Sequence, residues 1–265
     1  MNEKEYALVT GATGGLGKAF VYALAKRGYA LILTGRSEEK LSALRKELET
    51  AYPQISVCVQ SADLANGESR NKLLETLTAH GVKIRLLVNV AGADIQKPFT
   101  DYTQEKIAFQ CRVNFETAVS FCHFAIQNRA KRLEIINITS VSGIYPMPYF
   151  AIYSATKSAL TSFSVALREE VKGKNIAVTA ILPGAMPTRS DIKEQIKGQG
   201  LWGKLAVKTP KWVAEYSLKM VKRNKAKKIA GFWNKVMRIG TACIPTKLKL
   251  RFIAKRWSKI SKDAF

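Results

Sequence analysis

Apolar and polar residues alternate along the chain with two different periods. Short β-branched runs predict strands, and longer stretches with apolar residues every three to four positions predict helices. The predicted strands are residues 6–10, 30–34, 55–59, 84–89, 133–139 and 176–182, with a short last strand at 229–232. The predicted helices are residues 15–27, 38–50, 103–129 and 152–171, with one more between the third and fourth strands. Because strands that alternate with helices are joined by right-handed crossovers, this order predicts an α/β fold whose mostly parallel sheet carries helices on both faces.

Positive charge is concentrated at the end of the chain. The 265 residues are 47% hydrophobic, which suits one globular domain, but the net charge is +23. Residues 204–265 contain 18 Lys and Arg against Glu215 and Asp263, so they carry +16 of that total. We therefore expect a main domain over residues 1–228 and a basic, amphipathic extension over residues 229–265 that belongs to the same domain.

The cysteines and histidines show no pattern of a metal site. The four cysteines lie in apolar surroundings and predict reduced thiols, hence a cytoplasmic protein. His80 and His123 lie far apart in sequence and form no metal-ligand spacing with acids or cysteines, so no metal is predicted. The first residues do not form a secretory signal, and no run of about 18 apolar residues predicts a transmembrane helix.

A glycine-rich turn follows the first predicted strand, with the sequence TGATGGLG over residues 10–17. Glycine tolerates positive φ and lets the backbone approach a pyrophosphate, and the next helix offers free N–H groups to an anion. An ordinary strand-to-helix turn is the alternative, which the flanking strand and helix disfavour. The predicted dinucleotide contacts are Gly11, Thr13, Gly14, Gly15, Leu16 and Gly17.

The end of the second strand bears on the type of dinucleotide. An acidic residue there binds the ribose hydroxyls of NAD, whereas a basic residue accommodates the 2′-phosphate of NADP. Here the chain has Arg36 and Ser37 and no acid. This favours NADP(H) over NAD(H), the alternative being a solvated arginine at a helix start.

A tyrosine and a lysine lie four residues apart in the predicted helix 152–171. Tyr153 and Lys157 share one helical face, where an ammonium lowers the pKa of a phenol. Ser140 lies at the end of a strand, and the carboxyl ends of the strands face the ligand crevice in such sheets. Together with the glycine spacing, this Ser-Tyr-Lys set resembles the short-chain dehydrogenase/reductase family, and within it the NADP(H)-dependent 3-oxoacyl and hydroxysteroid reductases.

The resemblance covers about residues 5–190 and implies a Rossmann fold with a doubly wound, seven-stranded sheet. It also implies roles for individual residues. Tyr153 would protonate the carbonyl oxygen, Lys157 would bind the nicotinamide ribose and lower the tyrosine pKa, and Ser140 would polarise the carbonyl. Ser142 fits the serine role less well, and Asn114 would support a water relay to Lys157.

Further cofactor contacts are implied by the same resemblance. Asp63 and Leu64 match the adenine side, and the sequence Asn89-Val90-Ala91-Gly92 matches a conserved segment of the family except at Val90. The turn after the sixth strand matches the nicotinamide side. Its implied contacts are Pro183, Gly184 and Thr188, the last of which follows Pro187.

The substrate side is apolar and aromatic. Residues 145–150 read YPMPYF between Ser140 and Tyr153, and we expect Tyr149 and Ser140 to contact substrate. This favours a hydrophobic carbonyl or alcohol (lipid-, acyl- or steroid-like) over a sugar, although such residues also pack as core.

The basic extension shows helical spacing of apolar residues. Leu250, Ile253, Trp257 and Ile260 recur at steps of three and four, among lysines and arginines, and 232–237 adds apolar surface. The pattern is typical of peripheral contact with an anionic membrane surface. The alternatives are packing against a partner subunit or against the substrate mouth.

These features predict an NADP(H)-dependent oxidoreductase that interconverts a ketone and a secondary alcohol, as a homodimer or homotetramer if it follows its family. The alternatives are a non-catalytic NADP(H)-binding sensor or scaffold, and polyanion binding through the tail. No recognition motif favours nucleic acid as a partner.

Overall fold

The computed structural model describes residues 4–187 and 206–258, apart from the side chain of Arg256. Within these residues seven strands form one sheet in the order β3-β2-β1-β4-β5-β6-β7, and every neighbouring pair is parallel. The strands are β1 Glu5–Thr10, β2 Ala30–Gly35, β3 Val57–Ser61, β4 Lys83–Asn89, β5 Arg129–Ile138, β6 Ile176–Leu182 and β7 Lys227–Ile229.

Helices cover both faces of the sheet. They are α1 Gly15–Ala25, α2 Glu38–Ala51, α3 Gly67–Ala79, α4 Gln104–Cys111, α5 Thr117–Gln127, α6 Ala151–Glu170, α7 Pro210–Lys222, α8 Phe232–Gly240 and α9 Thr246–Trp257. The apolar residues of α1, α2 and α7 pack on one face, and those of α3, α5 and α6 on the other. Strands buried on both faces are apolar almost throughout, and all seven residues of β6 are buried. The predicted fold class, a doubly wound α/β sheet of Rossmann type, is confirmed.

Several predicted boundaries differ from the structure. The helix predicted over residues 103–129 is interrupted by a π-helical turn at Arg112–Glu116. The sequence did not predict this turn, because one extra residue in a turn leaves the spacing of apolar residues almost unchanged. The last strand, predicted at 229–232, is Lys227–Ile229. Gly231 then has a φ of +94°, which ends the extended backbone before α8 begins at Phe232.

The strand order creates a crevice at the carboxyl ends of β1 and β4. The chain moves from β1 outward to β2 and β3, and then returns to β4 on the other side of β1. Ligands bind at such a switch point in open α/β sheets. Thr10 fixes this edge, because its Oγ1 accepts hydrogen bonds from the N–H groups of Val90 and Ala91, at 3.1 and 3.2 Å. Within the described residues no helix is both long and apolar enough to cross a membrane.

Candidate active site

The turn between β1 and α1 is built so that only glycine fits at two positions. Gly11 has a φ of +63°, and a Cβ there would lie 3.0 Å from the backbone of Ala91. A Cβ on Gly17 would lie 2.0 Å from the carbonyl oxygen of Gly11. Gly14 is the N-cap residue of α1 and has no side chain to satisfy the first N–H groups of the helix. The backbone is therefore open to an anionic group such as a pyrophosphate, which fits a dinucleotide.

The other residues of this turn have different environments. Gly15 is exposed at the first position of α1, and Leu16 is buried in the core below the turn. The hydroxyl oxygen of Thr13 lies 3.5 Å from where a Cβ on Gly35 would be, so the turn reaches the end of β2. The side chain of Leu16 thus packs in the core and anchors the turn there.

Arg36 and Ser37 follow directly after β2. Arg36 is exposed. Ser37 is the N-cap residue of α2, and its Oγ accepts a hydrogen bond from the N–H of Lys40 at 3.2 Å. The hydroxyl proton of Ser37 remains a donor, so capping does not preclude a contact with a phosphate.

Asp63 and Leu64 lie in a loop that is fixed by hydrogen bonds. The Asp63 carboxylate accepts a hydrogen bond from the N–H of Ala65 at 3.1 Å. Leu64 is buried, and its carbonyl accepts hydrogen bonds from Arg70 and Thr117, at 3.1 and 2.8 Å. Asp63 is exposed, whereas the backbone of the loop is fixed by these hydrogen bonds.

Asn89 ends β4 and ties it to the neighbouring strand. Its Nδ2 donates to Oδ1 of Asn137 on β5 at 2.8 Å and to the Ala118 carbonyl at 3.3 Å. In the loop after β4, Ala91 is half-buried and Gly92 is exposed. Asn89 therefore links β4 to β5, whereas the exposed Gly92 is accessible to a ligand.

Lys157 is buried on α6 below Gly92. Its Nζ donates to the carbonyl of Ile138 at 3.1 Å, and a Cβ on Gly92 would come within 3.2 Å of that nitrogen. Burial lowers the pKa of Lys157 to about 8, and the negative charge of Asp94 opposes this shift. The nitrogen lies 5.8 Å from the centre of the Tyr153 ring, so the two predicted catalytic groups are neighbours.

Asn114 lies in the π-helical turn between α4 and α5. Its Oδ1 accepts from the N–H of Ala93 at 2.7 Å, and its Nδ2 donates to the Ala93 carbonyl at 2.9 Å and to Thr156 Oγ1 at 3.2 Å. The buried amide thus joins the loop after β4 to α6, next to Lys157. Single π-helical turns often occur at functional sites because they redirect one side chain.

Ser140 lies two residues after the end of β5 and is buried. Its Oγ accepts a hydrogen bond from the N–H of Ser142 at 3.1 Å, which starts the short 3₁₀ turn Val141–Gly143. A Cβ on Gly143 would lie 2.8 Å from the backbone of Lys157, so the turn packs directly on α6. Ser142 serves this turn through its backbone, and the proton of the Ser140 hydroxyl is left as a donor.

Three aromatic rings form a row that begins at Tyr153. The Phe150 ring stacks on Tyr153 with centres 4.3 Å apart, and the Trp257 ring lies 6.3 Å from Phe150 and nearly parallel to it. Tyr149, predicted to contact substrate, has a φ of +63°, a strained conformation for a residue with a side chain. The sequence placed Phe150 in the loop at the substrate mouth and left packing at the mouth open for Trp257. It did not predict their stacking, because that contact joins residues 107 positions apart.

The turn after β6 lies against helix α8. The Pro183 carbonyl accepts from the N–H of Val141 at 3.0 Å. A Cβ on Gly184 would lie 2.7 Å from Nδ2 of Asn234, a residue the sequence did not single out. The feature of the sequence that could have indicated Asn234 is that an uncharged polar residue stands among the apolar residues of 232–237. Thr188 lies outside the described residues.

The C-terminal helices pack against the loop 145–150. The Tyr145 hydroxyl lies 2.8 Å from Oγ1 of Thr241 and 3.2 Å from the carbonyl of Arg238, and the Lys249 ammonium lies 4.9 Å from the centre of its ring. The predicted stripe Leu250, Ile253 and Trp257 is half-buried, so it faces the protein. This favours packing at the substrate mouth for that stripe, and its last member, Ile260, lies outside the described residues. No cluster of metal-binding side chains occurs within 4–187 and 206–258.

Comparison with known proteins gives consistent relatives. The sequence model of the family described as short chain dehydrogenase matches residues 5–197. Very-long-chain 3-oxoacyl-CoA reductase of Bos taurus is 32% identical over 191 residues, which are 70% of this chain and 60% of the relative. Its counterpart in Mycosarcoma maydis is 31% identical over 185 residues, 68% of this chain and 53% of that protein. The chain spans less than two thirds of the length of these curated relatives.

Solved structures extend the similarity to most of the chain. A structure from work on 7β-hydroxysteroid dehydrogenase stereoselectivity has a TM-score of 0.82 at 26% identity, covering 94% of this chain and 96% of the other. L-sorbose reductase from Gluconobacter frateurii, complexed with NADPH and L-sorbose, has a TM-score of 0.75 at 25% identity, covering 86% and 95% of the two chains.

Proposed function

The chain belongs to the short-chain dehydrogenase family, and on that premise we propose that it is an NADP(H)-dependent oxidoreductase that interconverts a hydrophobic ketone and the corresponding secondary alcohol. The observation that carries the proposal is the buried Lys157 ammonium beside the Tyr153 ring, with Ser140 at the end of the adjacent strand. A bound nicotinamide cofactor supplies or accepts the hydride, and the residues of the chain supply proton transfer and positioning.

Tyr153 is the proposed acid and base. An unperturbed phenol has a pKa near 10, too high for a good catalyst at neutral pH. The Lys157 cation next to it favours the phenolate and so lowers that pKa. With its own pKa near 8, Lys157 is still mostly protonated at pH 7 and can exert this effect. In reduction the Tyr153 hydroxyl donates its proton to the carbonyl oxygen, and in oxidation the phenolate takes the proton of the alcohol.

Ser140 and Asn114 hold the geometry around this pair. The Ser140 oxygen already accepts a hydrogen bond from Ser142, so its proton is directed away and can be donated to a substrate carbonyl. Asn114 fixes the loop after β4 against α6 through its hydrogen bonds to Ala93 and Thr156. We assign Ser140 to carbonyl binding and Asn114 to positioning.

A hydrophobic substrate is supported by the residues around the mouth. Tyr149, Phe150 and Trp257 give the crevice an aromatic wall, which favours an apolar ligand. The curated relatives are named as reductases of very-long-chain 3-oxoacyl-CoA, and a structural neighbour concerns a hydroxysteroid. We therefore propose an acyl- or steroid-like ketone.

A cytoplasmic location is proposed from the thiols. None of the four cysteines forms a disulfide bond: they are Cys58, Cys111, Cys122 and Cys243. Two of them, Cys111 and Cys243, are exposed. Exposed free thiols suit a reducing compartment.

The preference for NADP(H) is proposed from Arg36, which stands at the end of β2 where NAD-dependent folds carry an acid. The L-sorbose reductase that was solved with NADPH supports the same choice. Arg36→Asp should raise the Kd of NADPH roughly 10- to 100-fold, because a charge-assisted bond to the 2′-phosphate is lost, and should change NADH binding much less. Titration of cofactor fluorescence measures both constants.

Lys46→Asp makes the same charge change on the exposed face of α2 and should leave both constants almost unchanged. Equal losses for NADPH and NADH in Arg36→Asp would remove the NADP(H) assignment. Oxidation of NADPH with a 3-oxoacyl thioester, a steroid ketone and a small water-soluble ketone tests catalysis itself. Tight NADPH binding without any turnover would favour the sensor or scaffold.

A further inference from the structure

Helix α8 exposes its apolar residues and buries its polar one. Phe232 and Ile239 are 67% and 73% exposed, and Met237 is also exposed. Asn234 points inward, where its Nδ2 donates to the Ala230 carbonyl at 2.7 Å. A surface helix normally buries its apolar stripe, so an exposed stripe of this size indicates that something covers it.

Helix α9 carries a second apolar stripe besides the one that packs on the protein. Leu248 and Phe252 lie one turn apart and are 59% and 69% exposed. The exposed cations Lys247, Arg251 and Lys255 lie one turn apart on the adjacent row. The outward side of α9 is therefore an apolar row beside a cationic row.

Both helices also form part of the substrate mouth. Tyr145 contacts α8 through the Arg238 carbonyl, and it contacts α9 through the ammonium of Lys249. Trp257 at the end of α9 extends the aromatic row that begins at Tyr153. A ligand of the outward side would thus sit beside the entrance of the proposed active site.

The charge of these helices selects among possible occupants. Residues 232–257 contain seven Lys and Arg and no Asp or Glu. A second copy in a symmetric dimer would bring like charges together, which opposes association. A nucleic acid would use the cations but not the exposed apolar side chains. An anionic lipid surface uses both, because apolar residues enter the interface while cations meet the headgroups.

We propose that α8 and α9 dock the protein on an anionic bilayer through a docking surface formed by Phe232, Val236, Met237, Ile239, Leu248 and Phe252. The cations of α9 contact the lipid phosphates, and the substrate mouth opens at the lipid surface. That the mouth then takes a hydrophobic ketone from the bilayer rests on the proposed function. Docking itself does not.

Sedimentation with vesicles tests docking directly. The full chain should bind vesicles of equal parts phosphatidylcholine and phosphatidylglycerol, and should bind vesicles of phosphatidylcholine far more weakly. The triple variant Lys247→Gln, Arg251→Gln, Lys255→Gln should lower the partition coefficient about a hundredfold, since each cation near an anionic surface contributes roughly fivefold. The variant Phe232→Ser, Ile239→Ser, Phe252→Ser should lower it at least about tenfold.

Matched controls lie elsewhere on the surface. Phe99→Ser removes an exposed aromatic residue outside the docking surface, and Lys46→Gln, Lys72→Gln, Lys174→Gln removes three exposed cations from other elements. Both should bind vesicles as the unmodified chain does. All substituted side chains are exposed, and circular dichroism verifies that each variant is folded.

Three results would overturn the proposal. One is the absence of binding to anionic vesicles. Another is unchanged binding in the serine variant with loss in the glutamine variant, which would indicate a simple polyanion site. The third is a dimer in sedimentation velocity that the serine variant abolishes, which would make a second copy the occupant. None of these measurements needs turnover, whereas failure of the proposed function would appear as no NADPH oxidation with the 3-oxoacyl thioester, the steroid ketone or the water-soluble ketone in the absence of vesicles.

Discussion

Lys157 shows how much of the site's chemistry depends on burial. The spacing of Tyr153 and Lys157 could be read from the sequence, because a shared helical face requires a fixed offset. The burial of the ammonium below Gly92 could not be read, since it depends on the loop after β4 and on the end of β5. The row from Tyr153 to Trp257 was missed for the same reason: it joins distant parts of the chain.

The depressed pKa of Lys157 predicts a pH dependence of stability. In the unfolded chain the pKa is about 10.5 and in the folded chain about 8. Between these values the unfolded state binds more protons, so the contribution of Lys157 to the free energy of unfolding rises with pH. From pH 8 to pH 9.5 the unmodified protein should gain roughly 1.5 kcal/mol relative to Lys157→Met, as measured by urea unfolding of both.

The comparison with Lys157→Met cancels the titration of groups away from Lys157, and repeating it in a Tyr153→Phe background removes the phenol whose pKa Lys157 influences. The same difference at both pH values would show that Lys157 keeps its ordinary pKa when folded. Lys157 would then be fully protonated at pH 7, so its proposed influence on Tyr153 would remain.

The type and order of the strands and helices could be predicted from the sequence, whereas local irregularities within them could not. The strand β6 was predicted at its observed bounds because both its ends follow from its apolar run. The π-helical turn Arg112–Glu116 was not predicted, since α4 and α5 on either side keep a helical pattern. The outward apolar face of α8 was recognised as apolar, but its direction depends on Asn234 packing against Gly184.

The π-helical turn gives Asn114 a structural task that can be measured. Asn114→Ala leaves the buried N–H of Ala93 without its side-chain acceptor, whereas the Ala93 carbonyl keeps a donor in Gln110 Nε2 at 3.3 Å. The free energy of unfolding should fall by about 2–3 kcal/mol, the cost of the unsatisfied buried N–H and of the lost hydrogen bonds. Asn128→Ala removes a half-buried amide that donates to the Phe124 carbonyl at a helix end, and it should cost under about 1 kcal/mol. Equal losses in the two variants would contradict the positioning role.

The overall fold of the molecule follows from the alternation of strands and helices along the chain. The crossover rule gave a parallel sheet, and the observed order puts the crevice between β1 and β4, where the glycine turn lies. The position of the extension was left open between a membrane, a partner and the mouth. Leu250, Ile253 and Trp257 are half-buried, and Trp257 lies beside Phe150 of the loop predicted to line the mouth, which favours packing at the mouth.

We propose that residues 229–265 unfold together with the main domain, since Asn234 and Thr241 contact it. In the variant Trp202→Phe, Trp212→Phe the remaining tryptophans, Trp233 and Trp257, report on the extension, while far-UV circular dichroism reports mainly on residues 1–228. Both signals should change at one urea midpoint. Two separate midpoints would show an independent unit.

The central claim is that the Tyr153 hydroxyl is the acid and base of the reaction. The most direct test is the kcat of Tyr153→Phe for NADPH-dependent reduction of a ketone that the unmodified protein turns over, measured beside the Kd of NADPH. The kcat should fall roughly 10²- to 10⁴-fold with the Kd unchanged. Tyr216→Phe, which removes a hydroxyl outside the crevice, should retain full turnover. A Tyr153→Phe variant that reduces the ketone as fast as the unmodified protein would contradict the account.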